Sequence, residues 1–314
     1  MNSSTLKPYQ TIEGWFKLPD GRPWGSSSAI DIAPDGASVW IAERCGANSC
    51  VGSKVDPVLH FDANGKLIKS FGAGMFVFPH GMFVDKQGNV WVTDGQGKDG
   101  KGHQIIKFSP EGKVLMTLGK AGVGGSGTDE FNKPSDVIVA PNGDIFVADG
   151  HGPESNARML KFDKNGKFIK TWGKMGTAPG DFDQPHALAF DSKGRLFVAD
   201  RSNNRIQIFD QDGKFLAEWK QFSRPSGLFI DKNDTLYVSD SESEDAPGKD
   251  TNNPGCKRGI RIGSTKTGKV DYYVPPPTPK DAKNPPPEGV AADSHGTIYA
   301  AAVPERAVYK YVKK

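Results

Sequence analysis

No stretch of the chain approaches the roughly 20 apolar residues that would cross a bilayer as a helix. No stripe of Lys and Arg marks a nucleic-acid partner either. The 40 basic residues stand against 37 acidic ones, a net charge of +3, and they are scattered through turns such as NGK and EGK. Cysteine is scarce, with three residues giving one pair and one left over. Cys45 and Cys50, in ERCGANSC, are close enough to staple a loop, whereas Cys256 sits apart in a polar loop. The first residues, MNSSTLKPYQ, lack the basic and apolar regions of a signal peptide, which fits a cytosolic protein or a mature exported one. The cysteine pair tips the expectation toward a secreted or periplasmic protein.

What is present is Gly (38) and Pro (23), more than helices favour, with 36% hydrophobic residues, enough to bury a core. At 314 residues the chain could hold two average domains or one large all-β domain. Internal repetition decides for the second. FPHGMFVDKQGNVWVTD (78–94), KPSDVIVAPNGDIFVAD (133–149), QPHALAFDSKGRLFVAD (184–200) and RPSGLFIDKNDTLYVSD (224–240) are variants of one pattern. SSAIDIAPDGASVWIAE (27–43) and PEGVAADSHGTIYAA (287–301) fit it less tightly. Each has an alternating apolar run, a polar turn and a second alternating run, as in an antiparallel hairpin. A third and a fourth strand follow in most units, for example ARMLKFDKNGKFIKTWG (157–173).

Four short strands per unit predict a six-bladed β-propeller, an all-β fold made as a single domain over residues 1–314. The chain ends after a third strand, RAVYKYVKK, and begins with an orphan, YQTIEGWFKLP. The N-terminal strand is therefore expected to complete the last blade and close the ring.

In a propeller the first strand of each blade lines the central channel. The column just after the proline position reads Ser28, His80, Ser135, His186, Ser226 and Glu288. Serine stands in the odd blades; His, His and Glu stand in the even ones, about 120° apart around a six-blade ring. Two imidazoles and one carboxylate form a catalytic zinc set with a coordination position left open, and iron or manganese could also use it. For a single His beside a Pro, a turn or surface role would suffice; three ligand-type residues in one column weigh against it. For His60, His103 and His295 a structural role is expected.

A second column, at the end of the second strand, reads Glu43, Asp94, Asp149, Asp200 and Asp240. Its recurrence predicts a structural use, capping turn amides. The next residues vary, and among them Arg44 and Arg201 stand on opposite blades. They could bind a carboxylate at the channel mouth, or pair with neighbouring aspartates. The stretches GQGKDGKGH (95–103) and SESEDAPGKDTNNPGC (241–256) read as long loops shaping access to one face.

FPHGM, DQPHALAF followed by VADRSNNRIQIF, and DGHGPESNARMLKF together resemble the peptidyl-α-hydroxyglycine α-amidating lyase domain of peptidylglycine α-amidating monooxygenase, within the NHL-repeat propellers. The resemblance covers nearly the whole chain. It implies a channel zinc held by three histidines, arginines near a substrate carboxylate, a catalytic tyrosine, and cleavage of a peptidyl-α-hydroxyglycine into a peptide amide and glyoxylate. By this resemblance His80 and His186 match two zinc ligands, and Arg44 and Arg201 match the arginines. Two positions depart from it. Glu288 stands where the third histidine would be, and His151, in DGHG, stands where the tyrosine is expected. The carboxylate keeps a ligand but makes a weaker Lewis acid, and His151 keeps a general base that titrates near neutrality.

The expectation is a monomeric, metal-dependent, carbon–nitrogen lyase-like enzyme or related hydro-lyase, cleaving or dehydrating a small-molecule or peptide-derived substrate that bears a carboxylate and an α-hydroxyl. Nucleic acid and membrane are not expected partners. His80, His186 and Glu288 would hold zinc, or iron or manganese, with a structural calcium also admissible; Arg44, His151 and Arg201 would be catalytic. The alternatives are a calcium-dependent lactonase or esterase, against which the two histidines argue, and a non-catalytic NHL-repeat scaffold.

Overall fold

The structure is a computed structural model describing residues 5–6, 9–277 and 287–314. Among these residues there is no helix, and the strands form six antiparallel sheets. Blade two, for example, runs Pro79–Val84, Val90–Lys98, Lys101–Phe108 and Val114–Leu118. The first strands touch one another in chain order, and that of blade six (Gly289–Ala292) touches that of blade one (Ala29–Ile32). The ring is closed as the repeats predict. Tyr9–Ile12 pairs antiparallel with the last strand, Ala307–Lys313, from Tyr9 against Lys313 to Ile12 against Lys310.

The recurring Asp-x-Asn-Gly-Lys turns fold for a local reason. In blade three the Asp163 carboxylate accepts the amides of Asn165 and Lys167, each at 2.9 Å, and Gly166 takes the left-handed φ of 81°. Alternating apolar residues then put both faces of each blade into a seam with its neighbour. Six clusters occupy the six seams: Phe71 with Phe108 between blades one and two, Phe182 with Phe209 between three and four, and Phe16 with Phe61 and Tyr299 between six and one are representative. Each fully buried Phe contributes about 1.5–3 kcal/mol of transfer free energy, so no blade is stable without its neighbours.

Two details differ from the sequence reading. The stretch 95–103 is no loop: both strands of the blade-two hairpin run on through it, pairing Gly97 with Gly102 and Lys98 with Lys101. They meet at Asp99 and Gly100, both at positive φ (52° and 73°), the requirement of a two-residue type I′ turn. In addition, Thr5–Leu6 pairs in parallel with the outer strand of blade five, Val270–Val274, covering an edge that no alternating pattern in the first six residues announces.

Candidate metal centre

In blades two, three and four the first strand carries a register irregularity just after its proline, between Pro79 and Met82, Pro134 and Asp136, and Pro185 and Leu188. A bulge re-aims the side chains it contains. Here it falls on His80, Ser135 and His186. All three are buried, as is Glu288 at the start of blade six.

Nδ1 of His80 lies 2.7 Å from the carbonyl of Ser135, and Nδ1 of His186 lies 2.6 Å from the carbonyl of Ser226. A carbonyl can only accept, so each Nδ1 carries the proton and each Nε2 keeps its lone pair. The serine column thus orients the histidines through its backbone. The serine hydroxyls are engaged elsewhere: Ser28 donates to the His80 carbonyl at 2.8 Å, and Ser135 donates to that of Pro185.

The two Nε2 atoms face Glu288, whose Oε1 is 3.5 Å from that of His80 and 3.1 Å from that of His186. Burial pushes both imidazoles down, His186 to about 3, with Arg201 as the next cause. Burial alone would raise the Glu288 carboxyl, but hydrogen bonds toward the imidazoles and the charge of Arg201 hold it well below its usual range. These demands conflict, because burial denies the imidazoles the very protons that would lower Glu288, and the Ser135 carbonyl on His80 Nδ1 offsets that only in part. A cation shared by the three atoms resolves the conflict, so the donor set fits a divalent metal. The Nε2 of His80, buried and without a hydrogen-bond partner, is the atom most exposed to it.

His151 joins the group from blade three. One ligand atom from each of His80, His151, His186 and Glu288 lies within 4.8 Å of all the others. The preceding Gly150 has φ 157°, and a Cβ there would meet the Asn156 carbonyl at 2.1 Å; only glycine lets the chain turn His151 inward. Burial, then the neighbouring His80 and Arg201, push His151 well below its ordinary value.

Arg201 donates to Nε2 of His186 at 2.9 Å and to Gln184 at 2.6 Å, and lies 3.4 Å from Glu242 and 3.9 Å from Glu288. Arg44, on the opposite blade, lies with its guanidinium 3.6 Å above the Phe78 ring and donates to Pro79 at 3.2 Å and Asn48 at 2.6 Å. It is 2% exposed, and among the described residues no carboxylate comes within 4.0 Å of it. Burial pushes it down to about 10, partly offset by the charge of Glu288. Cys45 and Cys50 are bonded, closing the loop that carries Asn48.

Neither arginine pairs with the aspartate column. That column caps amides, with Asp94 accepting from Val77 at 2.9 Å and from Phe78. Its ion pairs are with Arg22 (to Glu43, 2.8 Å), Arg158 (to Asp149, 2.9 Å), Arg205 (to Asp200, 2.7 Å) and Arg261 (to Asp240, 3.5 Å). The outlying histidines are structural too. His60 stacks on Trp40 at 4.1 Å, and His103 accepts the Lys133 amide at 3.1 Å.

Glu242 and Arg224 escape the column reading. Arg224, fully buried, pairs with Glu242 at 3.0 Å and Asp250 at 2.7 Å, tying the 241–256 loop down beside Arg201. Glu242 stands two residues after Asp240, as His151 stands two after Asp149, so the signal was one register step further along. Away from this mouth, a channel cavity of about 670 Å³ runs from His80 and His186 past Asp31 and Asp136 to the hairpin turns on the other face.

Residues 182–209 match the NHL repeat. The chain is 34% identical over 273 residues to peptidyl-glycine α-amidating monooxygenase B of Xenopus laevis, covering 81% of this chain and 28% of that protein. It is 40% identical over 148 residues to peptidyl-α-hydroxyglycine α-amidating lyase 1 of Drosophila melanogaster, covering 44% of this chain and 26% of that one. It therefore spans well under half the length of these relatives. A gluconolactonase structure from Xanthomonas campestris superposes with a TM-score of 0.62 at 16% identity, over 99% of this chain and 96% of the other, which shows a common fold alone. The chain is a six-bladed propeller carrying an NHL repeat, and in sequence it is a homologue of the peptidyl-α-hydroxyglycine α-amidating lyases.

Proposed function

We propose that this propeller is a metal-dependent lyase that breaks a carbon–nitrogen bond in a small or peptide-derived substrate bearing an α-hydroxyl and a carboxylate. The observation that carries the reading is the facing of two proton-free imidazole nitrogens and one ionised carboxylate oxygen, 3.5 and 3.1 Å apart, beside two buried arginines.

His80, His186 and Glu288 would hold the metal, which when bound would supply Lewis acidity toward the hydroxyl. Zinc suits the set, and iron or manganese also accept it. Arg44, a buried cation with no carboxylate within 4.0 Å of it among the described residues, is suited to the substrate carboxylate. Arg201 is suited to the same carboxylate from the opposite blade, once it gives up the lone pair of His186. In this reaction class the hydroxyl proton leaves, a carbonyl forms at that carbon, the carbon–nitrogen bond breaks and the nitrogen is protonated. The neutral ring of His151 and the Glu288 carboxylate both face the point from which the proton leaves.

A calcium-dependent lactonase would call for oxygen ligands, and three imidazoles at one point speak for a softer metal. A pure scaffold has no use for the buried charge. An oxidising, exported setting belongs to the proposal, supported by the Cys45–Cys50 bond. The test is an assay against α-hydroxyglycine derivatives with glyoxylate release as the readout. Turnover lost on chelation supports the proposal, and no turnover with metal-loaded protein on any such derivative contradicts it.

A further inference from the structure

The three column residues enter the channel at one level, where the start of each first strand pairs with the end of the second, as Pro79 does with Asp94 and Pro185 with Asp200. His151 comes from the next level, two residues beyond Asp149 and toward the mouth. Its ring centroid is 4.2 Å from that of His80 and 5.3 Å from that of His186, while those two are 4.7 Å apart. His151 is therefore a member of the same cluster, reaching it from the stretch that follows the second strand of blade three.

A catalytic base is held by a partner that orients its ring and stabilises its protonated form. Among the described residues no group hydrogen-bonds the His151 ring, and the nearby Glu288 carboxylate already faces His80 and His186. The ring neighbours of His151 are Phe78, His80 and His186. What does fix it is backbone: Gly150 and His151 both donate to the Lys133 carbonyl, at 3.1 and 3.0 Å, through a turn that only glycine allows. A rigid backbone that aims a neutral imidazole at a point already faced by three donors is how a ligand is positioned.

We infer that His151 is a fourth protein ligand, so that the metal is held by three imidazoles and one carboxylate drawn from blades two, three, four and six. The inference rests on the metal reading above. Ligation uses the lone pair with which His151 would act as a base, and leaves the hydroxyl proton to Glu288.

Co(II) alone, titrated into metal-stripped protein, tests this through its visible absorption and through competition with a chelator. Wild type should bind one Co(II) with the intense bands of a low-coordinate site. His151→Ala should bind more weakly by at least the roughly 10–100-fold typical of losing even a supporting group around a metal, with altered bands. Added imidazole should restore the wild-type spectrum, which repair of a merely structural defect would not do. His151→Gln, retaining a polar side chain of similar reach, guards against loss of folding. If wild type binds Co(II) and both variants match it in affinity and spectrum, the fourth ligand is refuted while the metal site stands. If wild type binds none, the metal reading fails and this inference with it.

Discussion

The imidazole of His80 is held by the backbone of the next blade: its Nδ1 lies 2.7 Å from the carbonyl of Ser135. Gly81 makes that approach possible, because a Cβ at this position would meet the Ser135 oxygen at 2.4 Å. Gly81→Ala should therefore push the carbonyl off Nδ1, free the tautomer and leave Nε2 poorly aimed. Metal affinity is expected to fall about 10–100-fold while the circular dichroism spectrum stays that of a folded β protein. Chelator competition measures this, and an unchanged affinity would show that the Ser135 carbonyl does not position the ligand.

Arg44 is buried beside Phe78 and Asn48 with no carboxylate in range among the described residues, so its charge serves the site more than the fold. Arg44→Met keeps apolar volume and removes an uncompensated buried cation. Turnover of a carboxylate-bearing substrate should drop by about 10–100-fold, the worth of a charge-assisted hydrogen bond, without a lower melting temperature. A large loss of stability with normal kinetics in the surviving fraction would make Arg44 a structural residue instead.

Asp31 and Asp136 line the channel cavity, and each staples its blade to the next by accepting an amide, Val84 at 2.7 Å and Leu188 at 2.8 Å. Burial raises their carboxyls to about 7 and about 8 from an ordinary value of 3.8. Between the ordinary and the raised values the folded state binds more protons than the unfolded one, so stability falls as pH rises through that window. Thermal melts should show a decline from about pH 4 to about pH 8, levelling off above. Asp136→Asn, which mimics the protonated form, should make it shallower, leaving the part due to Asp31. A slope left intact in that variant would assign the pH dependence to other groups.

Ring closure is a stability device. Without residues 1–12 the strand Ala307–Lys313 becomes a free edge and Tyr311, 1% exposed, loses part of its cover. The truncated chain should unfold less cooperatively and aggregate on heating, with light scattering as the readout. A truncated protein that melts like the full chain would mean that the closing strand is dispensable.

The fold was legible because each blade repeats the same alternation and the same Asp-Gly turn, so one motif read six times fixes a ring. His80, His186 and Glu288 were legible for a related reason: they are exceptions in an otherwise constant column. The backbone carbonyls of Ser135 and Ser226 were not, since every residue has a carbonyl and only the inter-blade geometry says which one meets an imidazole. Glu242 was hidden in a polar loop whose composition resembles any solvated loop, and Arg224, heading the fifth repeat, has no sequence signal for its complete burial. The blade-two extension reads as a loop because Gly and Lys are frequent in loops, yet Asp99-Gly100 is a hairpin turn pair and both residues take positive φ.

The central claim is that His80, His186 and Glu288 share one divalent metal. Elemental analysis of the purified chain, alongside folded His80→Ala and Glu288→Ala variants, tests it most directly. The account predicts about one zinc, iron or manganese ion per wild-type chain and its loss in either variant. A wild-type chain without transition metal after reconstitution, or variants that retain it in full, would contradict the account.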